Sequence, residues 1–348
     1  MRVLVVKRDK LGDLLLTTPV FAHVKSVRPD IELHLLANDY NAWVAVDHPA
    51  LTRTWVYPRV KHNGRVRVGA ALAHLPLLWN LRRAKFDWAI ALGGDESHRA
   101  VKRAVATGAK RVVAYAQNPA RYGPRLTDPL PPPADGHETA RMMALLAPLG
   151  IAPPARLPDP AYRCPPADAA LARDWLAERG LAPDGYIVVG LGARYANRQP
   201  TPEQIVRWAR QFHDTWGLAT ILTWTPGTRD NPLYPGDDAT AEHVLAQASP
   251  HIHPYRGTIR GALGLVGSAR VSVVPDSGLM HFAAASPGGV VGLFAHDPTQ
   301  SVPASRWAPL GARAVQLEAE SAVADLSDET IFAAVAPFAT RSGFDRLS

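Results

Sequence analysis

The chain has 348 residues, 47% hydrophobic and 20% charged, which excludes a disordered protein and leaves room for two domains of roughly 100–200 residues each. A single cysteine, Cys164, excludes a disulfide scaffold and a cysteine-rich metal site, and fits a reducing compartment. The net charge of +7 is uneven: residues 1–150 carry 22 Lys/Arg against 12 Asp/Glu, residues 151–348 carry 16 against 19, and 53–125 alone carries 15 against 3. A basic field of this kind concentrates anionic partners, whether nucleic acid, a membrane surface or a phosphorylated substrate. A solvated arginine-rich surface is the plainer alternative.

Residues 2–6 form a buried strand, and the charged stretch Lys7-Arg8-Asp9-Lys10 comes directly after its apolar run, so no signal peptide is expected. No apolar run reaches the ~20 residues of a membrane span, and a cytoplasmic protein is expected. A helix follows over 11–28. Strands follow over 31–37, over 86–92 (closed by Gly93-Gly94) and over 110–115. Residues 137–149 read as a helix ended by Gly150. Twelve prolines lie between Pro124 and Pro166, so 151–166 is the linker. In the second half, Asp168 caps a helix ending at Gly180, and 186–189 is a strand. Thr201-Pro202-Glu203-Gln204 is a capping box opening a helix to about Gly217. Then come a strand over 218–224, helices over 238–248 and 258–269, and strands over 271–274 and 290–294. Ser327 opens the last helix. This alternation predicts two doubly wound α/β domains, 1–155 and 156–348, with the last helix free to pack back on the first. Ligands of such sheets bind at the carboxyl ends of the strands, and the cleft between two such domains is the expected site.

The first strand runs into Lys7-Arg8-Asp9-Lys10-Leu11-Gly12-Asp13. Gly12 allows a tight turn. Asp13 is either a carboxylate satisfying free N–H groups at a helix start or one placed to take a proton from a substrate hydroxyl. No G-x-G-x-x-G follows this strand, which argues against a nicotinamide dehydrogenase. Gly190 and Gly192 close the first strand of the second domain, also without a third glycine. Arg194 and Arg198 just beyond them are phosphate clamps or ordinary surface cations. Asp276-Ser277-Gly278-Leu279-Met280-His281 ends a strand and starts a helix. Its backbone N–H groups suit a diphosphate, and His281 could add a hydrogen bond. The plainer reading is a capped helix with a packed histidine, but a glycine there costs ~1 kcal/mol relative to alanine. No metal-ligand spacing, P-loop or Gly-x-Ser-x-Gly elbow is present. The nine tryptophans are scattered singly and read as packing residues, so no nucleic acid partner is expected.

Together these motifs resemble glycosyltransferase family 9, the ADP-heptose:lipopolysaccharide heptosyltransferases. Lys7, Gly12-Asp13 and Leu16-Thr17-Thr18-Pro19 match the family's opening. Asp276-Ser277-Gly278-x-x-His281 matches its late turn. Gly292-Leu293-Phe294, Asp297-Pro298 and His137-x-x-x-Arg141 match further stretches. The resemblance implies a GT-B fold and an inverting transfer without a metal or other cofactor. It implies a nucleotide-sugar donor, ADP-heptose, in the second domain and an anionic lipopolysaccharide-core acceptor in the first. It makes Asp13 the general base. Arg198, Asp276, Ser277, Gly278, His281, Gly192 and Arg194 become donor contacts, and Lys7, Gly12 and Arg99 acceptor contacts, with Lys102 and Arg103 nearby. A monomer touching the inner membrane peripherally is expected. The sequence departs from the family at Arg198-Gln199-Pro200, where a lysine precedes Trp-Pro, at residues 225–231, and at Ala295-His296 before Asp297. Other readings are a transferase using another nucleotide sugar or acceptor, a nucleotide-sugar epimerase or hydrolase, and a non-catalytic nucleic-acid binder. The last leaves Asp13 and the Asp-Ser-Gly turn without a role.

Overall fold

A computed structural model describes residues 1–62, 65–231, 235–296 and 304–340. Asp297 and Pro298 lie outside the described residues. The chain divides into two compact units, Met1–Arg163 and Cys164–Ser348.

The first unit is built on β1 (Arg2–Val6), β2 (Glu32–Asn38), β3 (Arg53–Tyr57), β4 (Trp88–Ala91), β5 (Arg111–Tyr115) and β6 (Asp128–Leu130), all parallel, in the order β3-β2-β1-β4-β5-β6. Both faces of such a sheet are covered, so its central strands are continuously apolar. Val3, Leu4, Val5 and Val6 are all buried, with Val5 between Leu35 and Ile90 in register.

The helix expected over 11–28 is two helices, α1 (Leu11–Leu15) and α2 (Thr18–Val27). Pro19 is the cause, since it lacks an N–H and its ring crowds the carbonyl four residues back. The hydroxyls of Thr17 and Thr18 donate to the carbonyls of Asp13 (2.9 Å) and Leu15 (2.8 Å) at the break. The remaining helices of this unit are α3 (Val68–Arg83), α4 (His98–Ala106) and α5 (Glu138–Ala144).

The second unit repeats the plan with α6 (Pro166–Ala177), β7 (Tyr186–Gly190), α7 (Pro202–Trp216), β8 (Ala219–Thr223), α8 (Asp238–Ala246), β9 (Ile252–Tyr255), α9 (Ile259–Gly267), β10 (Val271–Pro275), α10 (Gly278–Ala284), β11 (Val290–Ala295), β12 (Ala314–Ala319) and α11 (Asp328–Ala339). Its parallel sheet runs β9-β8-β7-β10-β11-β12. The Thr201 capping box forms with Gln204, and Gly217 ends α7 in the left-handed conformation. Asp168 does not cap α6; Pro165 stands at that position. The Asp168 carboxylate instead accepts from Arg260 at 2.8 Å, a partner 92 residues away that no local pattern reveals. Ile331, Val335 and Phe338 of α11 join the core of this unit around Trp208 and Val273.

Both sheets share the strand order of dinucleotide-binding folds. Winding reverses between β1 and β4 in one unit and between β7 and β10 in the other. The crevice outside these strand ends is where such sheets hold ligands.

Candidate active site

In the first unit the switch point is filled by a buried charge cluster. Lys7, directly after β1, is 1% exposed. Its backbone N–H donates to the Leu36 carbonyl, fixing it against β2. Its ammonium lies 3.1 Å from Asp9 and 3.6 Å from the Met142 sulfur on α5. Burial opposes the ammonium's charge, but Asp9, Asp13 and Glu138 outweigh burial and hold the Lys7 pKa above that of a free lysine.

Asp13 stands in the first turn of α1, where its carboxylate accepts the Lys10 backbone N–H at 2.9 Å. The capping role therefore exists. The same carboxylate has its pKa pushed up, mainly by burial, with Asp9 and Glu138 adding to the shift and Lys7 and the Lys10 N–H opposing it. A carboxylate raised this way is a stronger base than a free aspartate.

Glu138 is a member the sequence reading missed. It lies 4% exposed at the start of α5, and its carboxylate accepts the Gly94 N–H at 2.8 Å. A Cβ on Gly94 would collide with that carboxylate, so the glycine after β4 is what lets α5 approach. The double glycine was the sequence signal of a close approach, but nothing in it pointed 44 residues ahead. Arg141, one turn further along α5, is buried too. It donates to the Gly94 carbonyl (2.7 Å) and to Asp95 (2.5 Å). The His137-x-x-x-Arg141 pattern thus locks α5 onto the end of β4.

Arg99 belongs to a different place. It is exposed on α4 and lines a cavity of about 600 Å³ with Arg8, Arg59, Lys102 and Arg103 over an apolar floor that includes Leu77 and Leu81. Lys7, Gly12 and Asp13 are not among its lining residues. The expected acceptor contacts therefore fall into two groups, joined in sequence through Arg8.

In the second unit, Gly190 ends β7 and Gly192 follows it. A Cβ on Gly190 would overlap Val274 of β10, and one on Gly192 would come within 3.3 Å of the Thr225 hydroxyl. Close strand packing is thus a sufficient reason for Gly190. Arg194 is exposed, and its guanidinium lies 5.8 Å from the Tyr195 ring centre. Arg198 turns inward and pairs with Asp276 directly after β10, both side chains being 15% exposed. Burial raises the Asp276 pKa, and Arg198 counteracts it. The two residues singled out for a phosphate thus meet each other across the switch point. Ser277 is extended and precedes α10, Gly278 begins it, and His281 is buried within it.

The segment 225–231 is pinned by acids that follow it. The buried Asp237 carboxylate accepts from Gln199 (2.6 Å), Arg229 (2.9 Å) and the Thr225 N–H (3.3 Å). Asp238 accepts from the Trp224 indole (2.8 Å), the Gly227 N–H (3.0 Å) and Arg256 (2.9 Å). Neither Asp237 nor Asp238 was singled out from the sequence, because both lie after the segment that they pin. Among the described residues, no group of three or more His, Cys, Asp or Glu is placed to hold a metal ion.

The family model of glycosyltransferase family 9 (heptosyltransferase) matches residues 75–335. No curated protein sequence matches the chain. Among solved structures, a family 9 glycosyl transferase from Veillonella parvula superposes with a TM-score of 0.79 at 16% identity, covering 98% of both chains. The ADP-heptose lipopolysaccharide heptosyltransferase II of E. coli superposes with a TM-score of 0.71 at 16% identity, covering 97% of this chain and 98% of that one. The E. coli heptosyltransferase WaaC with ADP gives 0.69 at 18% identity, with 97% and 100% covered. These likenesses bear out the GT-B expectation for the fold.

Proposed function

We propose, from the premise that this chain belongs to glycosyltransferase family 9, that it transfers heptose from ADP-heptose to a hydroxyl of an anionic lipopolysaccharide-core acceptor, with inversion and without a metal. The observation that carries the mechanism is the position of the Asp13 carboxylate, in the first turn of α1 at the β1 switch point and grouped with the buried Lys7 and Glu138. Asp13 takes the proton of the acceptor hydroxyl. The oxygen forms its bond to the anomeric carbon as the bond from that carbon to the diphosphate breaks. The electron pair leaves on the diphosphate, whose growing charge Arg198 meets. Lys7 opposes the rise that burial imposes on the Asp13 pKa, and Glu138 and Arg141 hold the wall formed by α5. Two solved relatives are named as acting on ADP-heptose or as binding ADP, which supports an adenine nucleotide donor. The basic lining of the Arg99 cavity supports an anionic acceptor.

The direct test is transfer from ADP-heptose to a truncated lipopolysaccharide core, read by mass as the gain of one heptose, with excess EDTA present. Transfer should continue in EDTA. Loss of transfer on chelation, restored by a divalent ion, overturns the metal-free mechanism. Transfer only from a different nucleotide sugar overturns the donor assignment.

Arg198 gives a second test. Its guanidinium is paired with Asp276, so a diphosphate must share it with that carboxylate. A charge-assisted hydrogen bond is worth about 1.5–3 kcal/mol, so Arg198→Gln should weaken ADP binding by roughly 10–100-fold in calorimetry. Asp276→Asn removes a competitor and should not weaken it. Equal ADP affinity in the parent and the Gln variant removes Arg198 from the donor site.

A further inference from the structure

Helix α3 carries two apolar faces. One face packs inward, through Ala70 and Leu81, and Leu77 and Leu78 line the 600 Å³ cavity with it. The other consists of Val68, Leu72, Leu75 and Trp79, which are 68%, 61%, 66% and 64% exposed. At 3.6 residues per turn these four positions fall within about 60° of arc and extend about 17 Å along the helix. Trp79 departs from the expectation that the tryptophans are packing residues. Scattered apolar residues are normal on a surface, but a continuous stripe of this size marks an interaction site.

The charge around the stripe identifies what covers it. Residues 53–86 contain eight Lys/Arg and no Asp or Glu. Arg82 and Arg83 leave α3 on either side of the stripe's line, and Arg82 is steadied by the Ala106 carbonyl at 3.1 Å. Arg83 reaches a notch of about 440 Å³ that Arg2 and Arg53 also line, with Glu32 as the acid there. A second copy of this chain laid face to face on the stripe would bring two cationic surfaces together. An anionic bilayer meets no such repulsion. Its headgroups take up the arginines, and its acyl boundary accepts Leu72, Leu75 and Trp79.

We propose that the outward face of α3 is a docking surface for an anionic phospholipid membrane, with Val68, Leu72, Leu75 and Trp79 entering the interface and Arg83 at its edge. This is independent of the donor, the acceptor and the role of Asp13. It places the cavity lined by Arg99 directly behind the helix that touches the lipid.

The test is co-sedimentation of the full chain with vesicles of phosphatidylcholine alone, or with about one third phosphatidylglycerol. The parent protein should partition onto the anionic vesicles and much less onto neutral ones. The combined variant Leu72→Gln/Leu75→Gln/Trp79→Gln should lose at least about tenfold in partitioning. Arg83→Gln should lose about fivefold, the equivalent of ~1 kcal/mol per basic residue at such a surface. Melting temperature and ADP affinity of the variants should match the parent, because the stripe is exposed and forms no part of the donor site. Failure of the parent to bind anionic vesicles overturns the proposal, as does equal partitioning of the triple variant. If light scattering shows a parent dimer that the triple variant lacks, and vesicles bind neither protein, the stripe joins two copies and the membrane assignment is wrong.

Discussion

Asp13→Asn should lower turnover by about 10²–10⁴-fold, the usual size of a general-base contribution, while leaving the fold at least as stable as the parent. The two halves of this expectation have separate physical origins. Asparagine keeps a side-chain oxygen that can accept the Lys10 N–H, so the start of α1 keeps its hydrogen bond. It cannot take a proton at neutral pH, so the acceptor hydroxyl loses its base. Burial, and then Asp9 and Glu138, raise the Asp13 pKa over that of an unfolded aspartate. The folded state therefore binds this proton more tightly than the unfolded state. Ionised Asp13 costs stability, and the cost appears as pH rises through the unfolded and then the folded pKa. A neutral asparagine escapes that cost at neutral pH, although Lys7 then keeps only Asp9 and Glu138 as partners. The pH profile carries the same signature. The ascending limb of kcat/KM in the parent should lie above the ordinary carboxylate range, and the residual activity of the Asn variant should lack it. Transfer by the purified Asn variant at the parent rate would mean that Asp13 is only a helix-start residue.

Much of this framework was legible because buried parallel strands are continuous apolar runs. β1, β7 and β10 announce themselves in that way. The Thr201 box, Gly217 and Ser327 mark helix ends by local chemistry, and each forms as its sequence implies. β3 was not legible, because Arg-Thr-Trp-Val-Tyr at a sheet edge is only partly buried and carries no clean pattern. α3 was not legible either, because its outward apolar residues and its internal Pro76 blur the amphipathic period. In the candidate site, Lys7, Asp13 and Asp276 stand next to strand ends, so the strand reading located them. The pairings around them join separate segments: Glu138 with Gly94, Arg198 with Asp276, and Asp237 with Gln199 and Thr225. Such pairings are set by tertiary packing. A carboxylate at a helix start, as at Glu138, reads in sequence like any exposed acid.

Lys7→Met should destabilise the protein by about 3 kcal/mol, near the lower end of the ~3–5 kcal/mol expected when one partner of a buried charge group is removed. The lower end applies because Asp9, the nearest carboxylate at 3.1 Å, has a third of its side chain exposed and can recover hydration. Methionine fills most of the volume of the lysine stem beside Met142, so the loss is electrostatic and leaves no large cavity. Three carboxylates then face one another without their cation. Because Lys7 holds the Asp13 pKa down against burial, its removal should push Asp13 further up and displace the ascending limb of kcat/KM to higher pH. The instability should also shrink as the medium is acidified, since protonated carboxylates no longer repel one another. A double variant isolates the cause. With Asp13→Asn already present, Lys7→Met removes the partner of one fewer charge, so it should cost measurably less in denaturant unfolding than it does alone, a non-additivity expected of residues in direct electrostatic contact. Strictly additive losses would show that Lys7 and Asp13 do not act on each other, and the base would then owe its raised pKa to burial and its acidic neighbours alone.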